Sequence, residues 1–365
     1  MKTLTTRELN RATLARQLLL ERAEISVPEA VGRLGGLQAQ EPKPPFIGLW
    51  SRLAPFAEDD LGRALLERAV VRATLMRGTL HLATAADYAA FRPPLQPVLS
   101  RAMTGALRER AAGLEPPAVL AAARTLLEER PRTFDELRTL LQEVFPDVNH
   151  RALGYAVRML LPLVMVPTED RWGFPRVAEF TLAEPWIGLP VGDDEAPEEL
   201  VLRYLAAFGP ASVADVQTWS GLQGAGAVLD GLRPRLAAFE DESGRELYDL
   251  PEAPRPAGSV PAPPRFLPEF DNLLLAHSDR TRVIADEHRP ALVTKNLRVR
   301  ATFLLDGFVR GTWAVKRSRR SATLTITPFA PVPARAAAAL RAEGASLLRF
   351  TDGDASALEV TLAEP

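Results

Sequence analysis

The sequence predicts an α+β fold, mainly helical, built from three tandem winged helix-turn-helix units and a C-terminal β-rich part. Three observations lead to this prediction: three helix starts with a capping pattern, a pair of β-like segments after each helical group, and alternating apolar and polar residues near the C-terminus. With 365 residues, of which 47% are apolar and 25% charged, the chain is long enough to bury the cores of two or three domains.

Three predicted helix starts carry a Ser or Thr followed three residues later by an acidic residue. In this pattern the two side chains cap the helix reciprocally. The pairs are Ser26 with Glu29, Thr133 with Glu136, and Ser212 with Asp215. The pair that uses Asp is the weakest of the three. Because an amphipathic helical segment precedes each start, each one predicts the second helix of a helix-turn-helix.

Each pair of helices is followed by a third helical pattern and then by two β-like segments about a turn. The helical patterns are DLGRALLERAV, VNHRALGYAVRMLLP and GAGAVLDGLRPRLAA. The β-like pairs are VRATLM with GTLHLAT, LVMVPT with WGFPRVAEFTLA, and LAAFED with ELYDLP. Three helices and a hairpin are the order of a winged helix, which places three separate units at 1–113, 114–192 and 193–250.

A proline-rich segment separates these units from the C-terminal part. Residues 251–268 contain seven prolines in 18 residues, which cannot continue a helix and predict a stiff connection. Within 269–365, alternation or β-branched runs predict strands in RTRVIAD, ALVTK, LRVRATFLLDGFVRGTWAVKRS and SATLTITPF. The segment PARAAAALRAEGASLLRF predicts one late helix.

Composition excludes several kinds of site. The chain has no cysteine, which excludes disulfides and thiolate-bound metals, and its four histidines are not spaced as metal ligands. We therefore expect no metal and no cofactor. The N-terminus lacks the apolar segment of a signal peptide, and no stretch approaches the roughly 20 apolar residues of a membrane span. We expect a monomer in the cytoplasm, associated with the nucleoid, without a membrane partner.

Basic residues are unevenly distributed, although the net charge is only −2. Residues 280–320 contain eleven Lys and Arg against three acids, and residues 61–110 contain eight Arg against three acids. Codon bias enriches arginine by itself, so arginine abundance alone is weak support for phosphate binding. The local excess nevertheless predicts that both segments line one concave DNA-binding cleft, with residues 316–320 at the tip of a hairpin.

The predicted second helix of the first unit ends early, and two glutamines follow directly after its end. Gly35 and Gly36 each lower helix stability by roughly 1 kcal/mol, and the prolines from position 42 onward stop the helix. Gln38 and Gln40 are two residues apart, so in an extended segment both side chains lie on the same side. Two carboxamides offer donors and acceptors that do not titrate, enough to hold a water and a polar substrate. The alternative is that the pair only caps the helix or meets solvent.

Four segments resemble one enzyme family: LGGLQAQEP, RATLMRGTLHLATAADY, LPEFDNLLLAHSDRTRVI and LLDGFVRGTW. They are similar to the winged-helix DNA glycosylases that unhook interstrand crosslinks and bulky alkylguanines, a group that includes the azinomycin-resistance glycosylase of antibiotic-producing bacteria. The resemblance extends from about Leu9 to Phe350. It implies that Gln38-Ala39-Gln40 is the catalytic Gln-x-Gln element, where a related branch has Gln-x-Asp, and that tandem winged helices form a basic cleft.

The chemistry of two glutamines fits a substrate whose leaving group is already activated. Glutamine is not a strong base, whereas ordinary glycosylases use a carboxylate to stabilise the sugar cation or to activate water. An N7-alkylguanine carries a positive charge and leaves as a neutral purine without a general acid. The glutamines then only position a water and present carbonyl dipoles to the sugar. We expect a monofunctional glycosylase, since a lyase needs an amine and none of the four lysines lies in a recognisable site.

The candidate catalytic residues are therefore Gln38 and Gln40. The candidate DNA-binding residues are Arg72, Arg77, His81, Lys295, Arg298, Lys316, Arg317, Arg319 and Arg320. The expected partner is double-stranded DNA with a cationic alkylguanine lesion, and the expected role is self-resistance to a genotoxic natural product. Polar residues in 271–279 either assist the site or form a turn network. A transcription regulator and a protein-docking scaffold are the alternatives, but a regulator has no need of the Gln-x-Gln element.

Overall fold

The fold is that of a computed structural model, which describes residues 1–294 and 298–365. Over this part of the chain the helices are α1 Thr6–Arg16, α2 Val27–Arg33, α3 Lys43–Trp50, α4 Glu58–Leu66, α5 Ala85–Phe91, α6 Gln96–Leu107, α7 Pro116–Glu129, α8 Phe134–Val144, α9 His150–Leu160, α10 Ala183–Ile187, α11 Glu198–Phe208, α12 Val213–Ser220, α13 Ala225–Leu232 and α14 Ala334–Asp352. No helix in these residues is long and apolar enough to cross a membrane.

The strands form three sheets. They are β1 Lys2–Leu4, β2 Leu37–Gln38, β3 Val70–Thr74, β4 Leu80–Thr84, β5 Arg132–Thr133, β6 Leu163–Met165, β7 Glu179–Leu182, β8 Ala237–Asp241, β9 Glu246–Asp249, β10 Arg265–Leu267, β11 Thr302–Leu305, β12 Phe308–Arg317, β13 Ser321–Pro328 and β14 Ala357–Leu362. The three hairpins predicted for the winged-helix units are present as β3 with β4, β6 with β7, and β8 with β9.

The first two predicted units share one sheet, which we call the joined sheet. Its strand order is β2-β4-β3-β6-β7-β5. The two hairpins meet where Ala73 of β3 pairs with Val164 of β6. Both of these residues are buried, and the apolar side chains around them form a continuous core with the third unit. The first two units are thus not separate domains, because the outer strand of one hairpin continues the sheet of the other.

The third unit has a smaller sheet of order β1-β8-β9. The N-terminal strand β1 lies parallel to β8, with Lys2 opposite Phe239 and Leu4 opposite Asp241. Sequence patterns did not predict this strand, because three residues are too few to show alternation. The N-terminus of the chain is thereby attached to its third unit.

The C-terminal part contains the third sheet, of order β10-β11-β12-β13-β14, which we call the C-terminal sheet. The predicted late helix, α14, connects β13 to the parallel strand β14 and buries Leu340, Leu347 and Leu348 in a core against this sheet. The β12–β13 hairpin turns after Arg317, as predicted. Residues 251–268 were predicted to form only a connection, but strand β10 lies within them, so the prediction is wrong for Arg265–Leu267.

The helix caps form as predicted with one exception. Reciprocal capping boxes are present at Thr133 with Glu136 and at Ser212 with Asp215. Ser26 accepts a hydrogen bond from the main-chain N–H of Glu29, but the Glu29 carboxylate accepts from Arg33 at 2.7 Å instead of returning to the cap. A side chain one turn further along competes for this carboxylate.

Three segments depart from the predicted secondary structure. In ALVTK, predicted as a strand, Ala291 and Leu292 end a 3-10 helix and Val293 forms only an isolated bridge with Val299, while Lys295 lies outside the described residues. KPPFIGLW forms α3 although it contains two prolines, because both lie in the first turn, where a helix needs no N–H donor. Residues 280–286, predicted as a strand, form turns. The N–H groups of Val283 and Ile284 both bond back to the carbonyl of Arg280, which leaves no extended edge to pair.

Candidate active site around the glutamine pair

A sharp turn after α2 delivers the glutamine pair to the joined sheet. Gly35 and Gly36 have φ of +67° and +83°, a region that disfavours other residues. At Gly36 a β-carbon would lie only 2.8 Å from the carbonyl oxygen of Leu82. The helix therefore ends early, and the chain continues as β2, where Gln38 pairs with His81 of β4.

A buried arginine donates hydrogen bonds to the main chain of the glutamine pair. Arg72 donates from Nε to the carbonyl of Ala39 at 2.8 Å and from Nη2 to the carbonyl of Gln40 at 3.0 Å. Its side chain is only 4% exposed. Burial lowers the pKa of Arg72 to about 10, so it remains a cationic donor at neutral pH. Arg72 was predicted to contact DNA, but in the structure it is buried against the main chain of the Gln-x-Gln motif.

Both glutamine side chains line one open cavity of about 390 Å³. Gln38 is 9% exposed, whereas Gln40 is exposed at the mouth. The cavity is lined by Gln38, Gln40, Arg77, Gly78, Thr79, Tyr155, Arg158, Met159, Phe270, Leu275 and Val299. Among the described residues that line it, none is a carboxylate, a histidine or a lysine, so the polar groups there are neutral or cationic.

An apolar wall of the cavity comes from the C-terminal part of the chain. Phe270 contributes its ring with φ of +60°, a strained value for an aromatic residue. The adjacent Asp271 and Arg52 form a fully buried ion pair with contacts of 2.9 Å. Asn272 donates to the carbonyl of Gly36 at 3.1 Å. These bonds fasten the Phe270 loop to the turn that carries the glutamines.

The opposite wall carries cationic and aromatic residues of α9. Tyr155 and Arg158 line the cavity, and Arg151 lies one turn before Tyr155 on the same face of the helix. Arg158 donates to the hydroxyl of Thr74 at 3.3 Å, and burial lowers its pKa. Sequence analysis missed this face, although the spacing of four and three residues along a predicted helix marks it.

Comparison with known proteins identifies the family. A family model described as DNA glycosylase AlkZ-like matches residues 31–350. The chain belongs to the AlkZ-like DNA glycosylase family. An interstrand DNA cross-link repair glycosylase of Streptomyces sahachiroi is 28% identical over 363 residues, which cover 92% of this chain and 94% of that protein. The solved structure of Streptomyces sahachiroi DNA glycosylase AlkZ matches the full length of both chains with a TM-score of 0.80 and 23% identity.

These matches confirm the predicted α+β fold and the predicted enzyme class. The chain is a DNA glycosylase, and the alternative of a transcription regulator is set aside. DNA is accordingly its substrate. Other residues of this AlkZ-like glycosylase that were predicted to contact DNA are buried, paired with carboxylates, or exposed at a hairpin.

His81 lies behind the glutamines and not at the surface. It is fully buried, and its Nδ1 lies 3.1 Å from the carbonyl oxygen of Thr79. Burial, and then the charge of Arg77, lower the pKa of His81 to about 3, so the ring is neutral at physiological pH. Its place in the AlkZ-like glycosylase is in the core under the Gln38 strand.

Arg298 and Arg317 are both engaged by carboxylates. Arg298 forms ion pairs with Glu41 at 3.2 Å and Glu269 at 2.6 Å. Arg317 forms ion pairs with Asp352 at 3.0 Å and Asp354 at 2.6 Å. Neither arginine lines the cavity. Lys295, also predicted to contact DNA, lies outside the described residues.

The tip of the β12–β13 hairpin holds the remaining predicted cations. Lys316, Arg319 and Arg320 are exposed there and make no ion pair with any described carboxylate. The hairpin belongs to the C-terminal sheet, whereas the strand that carries Gln38 belongs to the joined sheet. Over residues 1–294 and 298–365, no group of three or more acidic or histidine side chains is placed to hold a metal ion.

Proposed function

We propose that this glycosylase hydrolyses the N-glycosidic bond of N7-alkylguanine in bulky adducts or guanine interstrand crosslinks, with Gln38 and Gln40 as its catalytic residues. The observation that carries the proposal is the make-up of the cavity. Its described lining offers two carboxamides beside arginines, hydroxyls and an apolar wall, and it contains no carboxylate, histidine or lysine to act as a general acid or base. Such a site suits a bond that is already activated.

The reaction needs no proton donor for the leaving base. Alkylation at N7 makes the guanine cationic, so the electron pair of the C1′–N9 bond neutralises the base as that bond breaks. The sugar develops positive charge at C1′, and a water oxygen forms the new bond there and gives up its proton to bulk solvent. A fixed water and fixed amide dipoles lower the barrier because they are arranged before the charge develops.

The openness of the cavity favours large lesions. A crosslinked or bulky base resists rotation into a closed pocket, whereas an open cavity with Phe270, Leu275 and Val299 on one side accommodates apolar parts of an adduct. The similar protein of Streptomyces sahachiroi is named as an interstrand cross-link repair glycosylase. We extend that substrate class to this chain, together with a role in self-resistance to a genotoxic compound.

Duplex DNA is proposed to reach the site as the partner of a monomeric enzyme at the nucleoid in the cytoplasm. Lys316, Arg319 and Arg320 at the hairpin tip have no carboxylate partner among the described residues and are therefore available to phosphates. Arg158 and other residues that line the cavity meet the strand that carries the lesion.

A hydrolytic mechanism without a lyase step follows from the placement of the lysine nearest to the motif in sequence. The ammonium group of Lys43 lies 3.8 Å from Asp352 and 5.3 Å from the ring centre of Trp172, and it does not line the cavity. No lysine is among the described residues that line the cavity, so none of these residues offers an amine to attack C1′ and form an imine with the sugar.

The test is a gel assay of base release from defined duplexes under single-turnover conditions. The duplexes carry N7-methylguanine, a bulky N7-alkylguanine, an N7-guanine crosslink, uracil or 8-oxoguanine. We expect release from the cationic substrates and none from the two neutral ones. Efficient release of uracil, or failure to release any cationic guanine, overturns the proposal.

A further inference from the structure

Arg77 lines the cavity and contacts the side chain of Gln38, and its surroundings are unusual for a DNA contact. It lies in the turn Met76–Gly78 between β3 and β4, with φ of +58°. Its Nη2 donates to Oε1 of Gln38 at 2.9 Å, and its Nη1 donates to the carbonyl of Trp219 at 2.5 Å. No described carboxylate pairs with it.

The second partner explains why the guanidinium stays where it is. Trp219 is close to the C-terminal end of α12, where main-chain carbonyls lack intrahelical donors and carry partial negative charge. The bond from Arg77 satisfies one of these carbonyls. The third unit thereby holds a side chain of the first unit against the glutamine.

This contact fixes which way the Gln38 carboxamide points. Burial, and then the nearby Arg280, lower the pKa of Arg77 to about 10, so it is protonated at neutral pH and only donates. The Gln38 oxygen must therefore face Arg77, and its NH₂ group is left for the cavity. Gln40 differs, because its side chain is exposed and its oxygen has only a long contact of 3.4 Å with the N–H of Leu80.

We propose that Arg77 is a positioning residue which orients Gln38 as a hydrogen-bond donor and leaves Gln40 to act as the acceptor. A water that accepts from Nε2 of Gln38 and donates to Oε1 of Gln40 keeps a lone pair for C1′. The two glutamines then have different tasks, and Arg77 acts through one of them. This inference rests on the proposed function, because it assigns roles within that site.

The test is a double-mutant cycle with Arg77→Asn and Gln38→Ala, measured as single-turnover release of a cationic N7-alkylguanine at saturating enzyme. Asn tolerates a positive φ, so the turn is kept. We expect Arg77→Asn to lower the rate by about tenfold or more, and the double variant to match Gln38→Ala within about twofold, because the arginine acts through the glutamine. Effects that multiply, or a wild-type rate for Arg77→Asn, overturn the proposal.

A matched control removes a neighbouring charge without touching a glutamine. Arg101 is exposed and donates to the carbonyl of Gly221, just beyond the same end of α12, at 3.1 Å. Arg101→Asn is expected to keep the wild-type rate at saturating enzyme. A loss equal to that of Arg77→Asn means that charge alone is responsible, and this also overturns the proposal.

A second pair of variants applies even if Arg77→Asn does not fold. Gln40→Glu keeps an acceptor and is expected to retain at least a tenth of the activity, whereas Gln38→Glu replaces the donor by an acceptor and is expected to lose more than tenfold. The reverse order contradicts the assigned roles. Glu is close in size to Gln, so packing is preserved in both.

A readout that does not need activity separates this proposal from the proposed function. The side-chain NH₂ resonances of Gln38, assigned by their loss in Gln38→Ala, should shift in Arg77→Lys, while those of Gln40 stay in place. Lys keeps the positive charge but lacks the planar guanidinium group that donates to two acceptors at once. Unchanged Gln38 resonances refute the positioning role and leave the proposed function standing, whereas absence of base release by the wild type refutes the proposed function itself.

Discussion

An arginine of the joined sheet and the arginines around the β12–β13 hairpin of the C-terminal sheet have opposite surroundings. In the joined sheet, Arg72 of β3 is buried and donates to two main-chain carbonyls of the glutamine motif. In the C-terminal sheet, Arg317 of β12 is exposed and paired with two carboxylates, and Arg319 and Arg320 beyond it are unpaired with any described acid. Of these four arginines, only Arg319 and Arg320 are available to a phosphate without a competing partner among the described residues, as is the neighbouring Lys316.

This difference shows that the hydrogen-bond or ion-pair partner of an arginine determines whether it can bind DNA, whereas the number of charges nearby does not. Carbonyl partners make the side chain part of the architecture, carboxylate partners neutralise it, and solvent leaves it free for DNA. The residues of the joined sheet should therefore control chemistry and stability, and those of the C-terminal hairpin should control affinity. Four experiments test this division.

The largest effect is expected from the glutamines of the joined sheet. Replacing both Gln38 and Gln40 by Ala should lower single-turnover excision by at least about a hundredfold, the scale of losing prearranged dipoles. Binding to lesion-containing duplex should change by less than about twofold in a fluorescence anisotropy titration. Gln40→Asp should retain part of the activity, because a carboxylate also orients water. Full activity of the double variant removes the site.

Loss of stability is expected next, from the arginine beneath the motif. Arg72→Met leaves the carbonyls of Ala39 and Gln40 without donors and should lower the free energy of unfolding by about 3 kcal/mol in urea titrations. Arg317→Met is the matched exposed variant, and it should cost less than about 1 kcal/mol. Equal losses for the two variants contradict the comparison.

A smaller effect, on affinity, is expected from the hairpin. The wild-type affinity should fall with salt at a slope of about five, and Arg319→Ala with Arg320→Ala should reduce that slope by about two, since each phosphate contact releases about 0.9 counterion. Excision at saturating enzyme should not change. Arg317→Ala serves as the paired control and should leave the slope nearly as in the wild type. An unaltered slope in the double variant places the tip outside the DNA interface.

The smallest effect is expected from pH. No described residue that lines the cavity is a carboxylate, a histidine or a lysine, and the pKa of the buried His81 is lowered to about 3, so none of these described groups changes charge near neutral pH. The pKa of Arg77, lowered to about 10, keeps it protonated up to pH 9. Excision rates at saturating enzyme should therefore vary by less than about twofold between pH 6 and 9. A bell-shaped profile would indicate a general acid or base that the cavity does not contain.

Local patterns predicted much of this molecule because they depend on neighbouring residues. The caps at Thr133 and Ser212, the three hairpins and the break at Gly35 and Gly36 all follow from short-range chemistry. The Gln-x-Gln element was identified through resemblance and through the conformational break that precedes it. Its side chains do line a common cavity, as an extended segment predicts.

Long-range partners could not be predicted from the sequence. Nothing in the alternation of β3 indicates that it pairs with β6, some ninety residues later, because edge pairing depends on how the two units pack. The burial of Arg72 and the bond from Arg77 to Gln38 are also products of tertiary structure. The turn at 280–286 had the composition of a strand but lacked a neighbour to pair with.

The pairing of Ala73 with Val164 limits how this enzyme can be cut or rearranged. A fragment that stopped at residue 113 would leave the outer edge of β3 with unsatisfied N–H and C=O groups, ready to recruit another copy. It would also lose both walls of the cavity, Tyr155 and Arg158 on one side and Phe270, Leu275 and Val299 on the other. Proteolysis between the two units should therefore give pieces that aggregate, and a circular permutant opened there should fold only if both hairpins emerge on one chain.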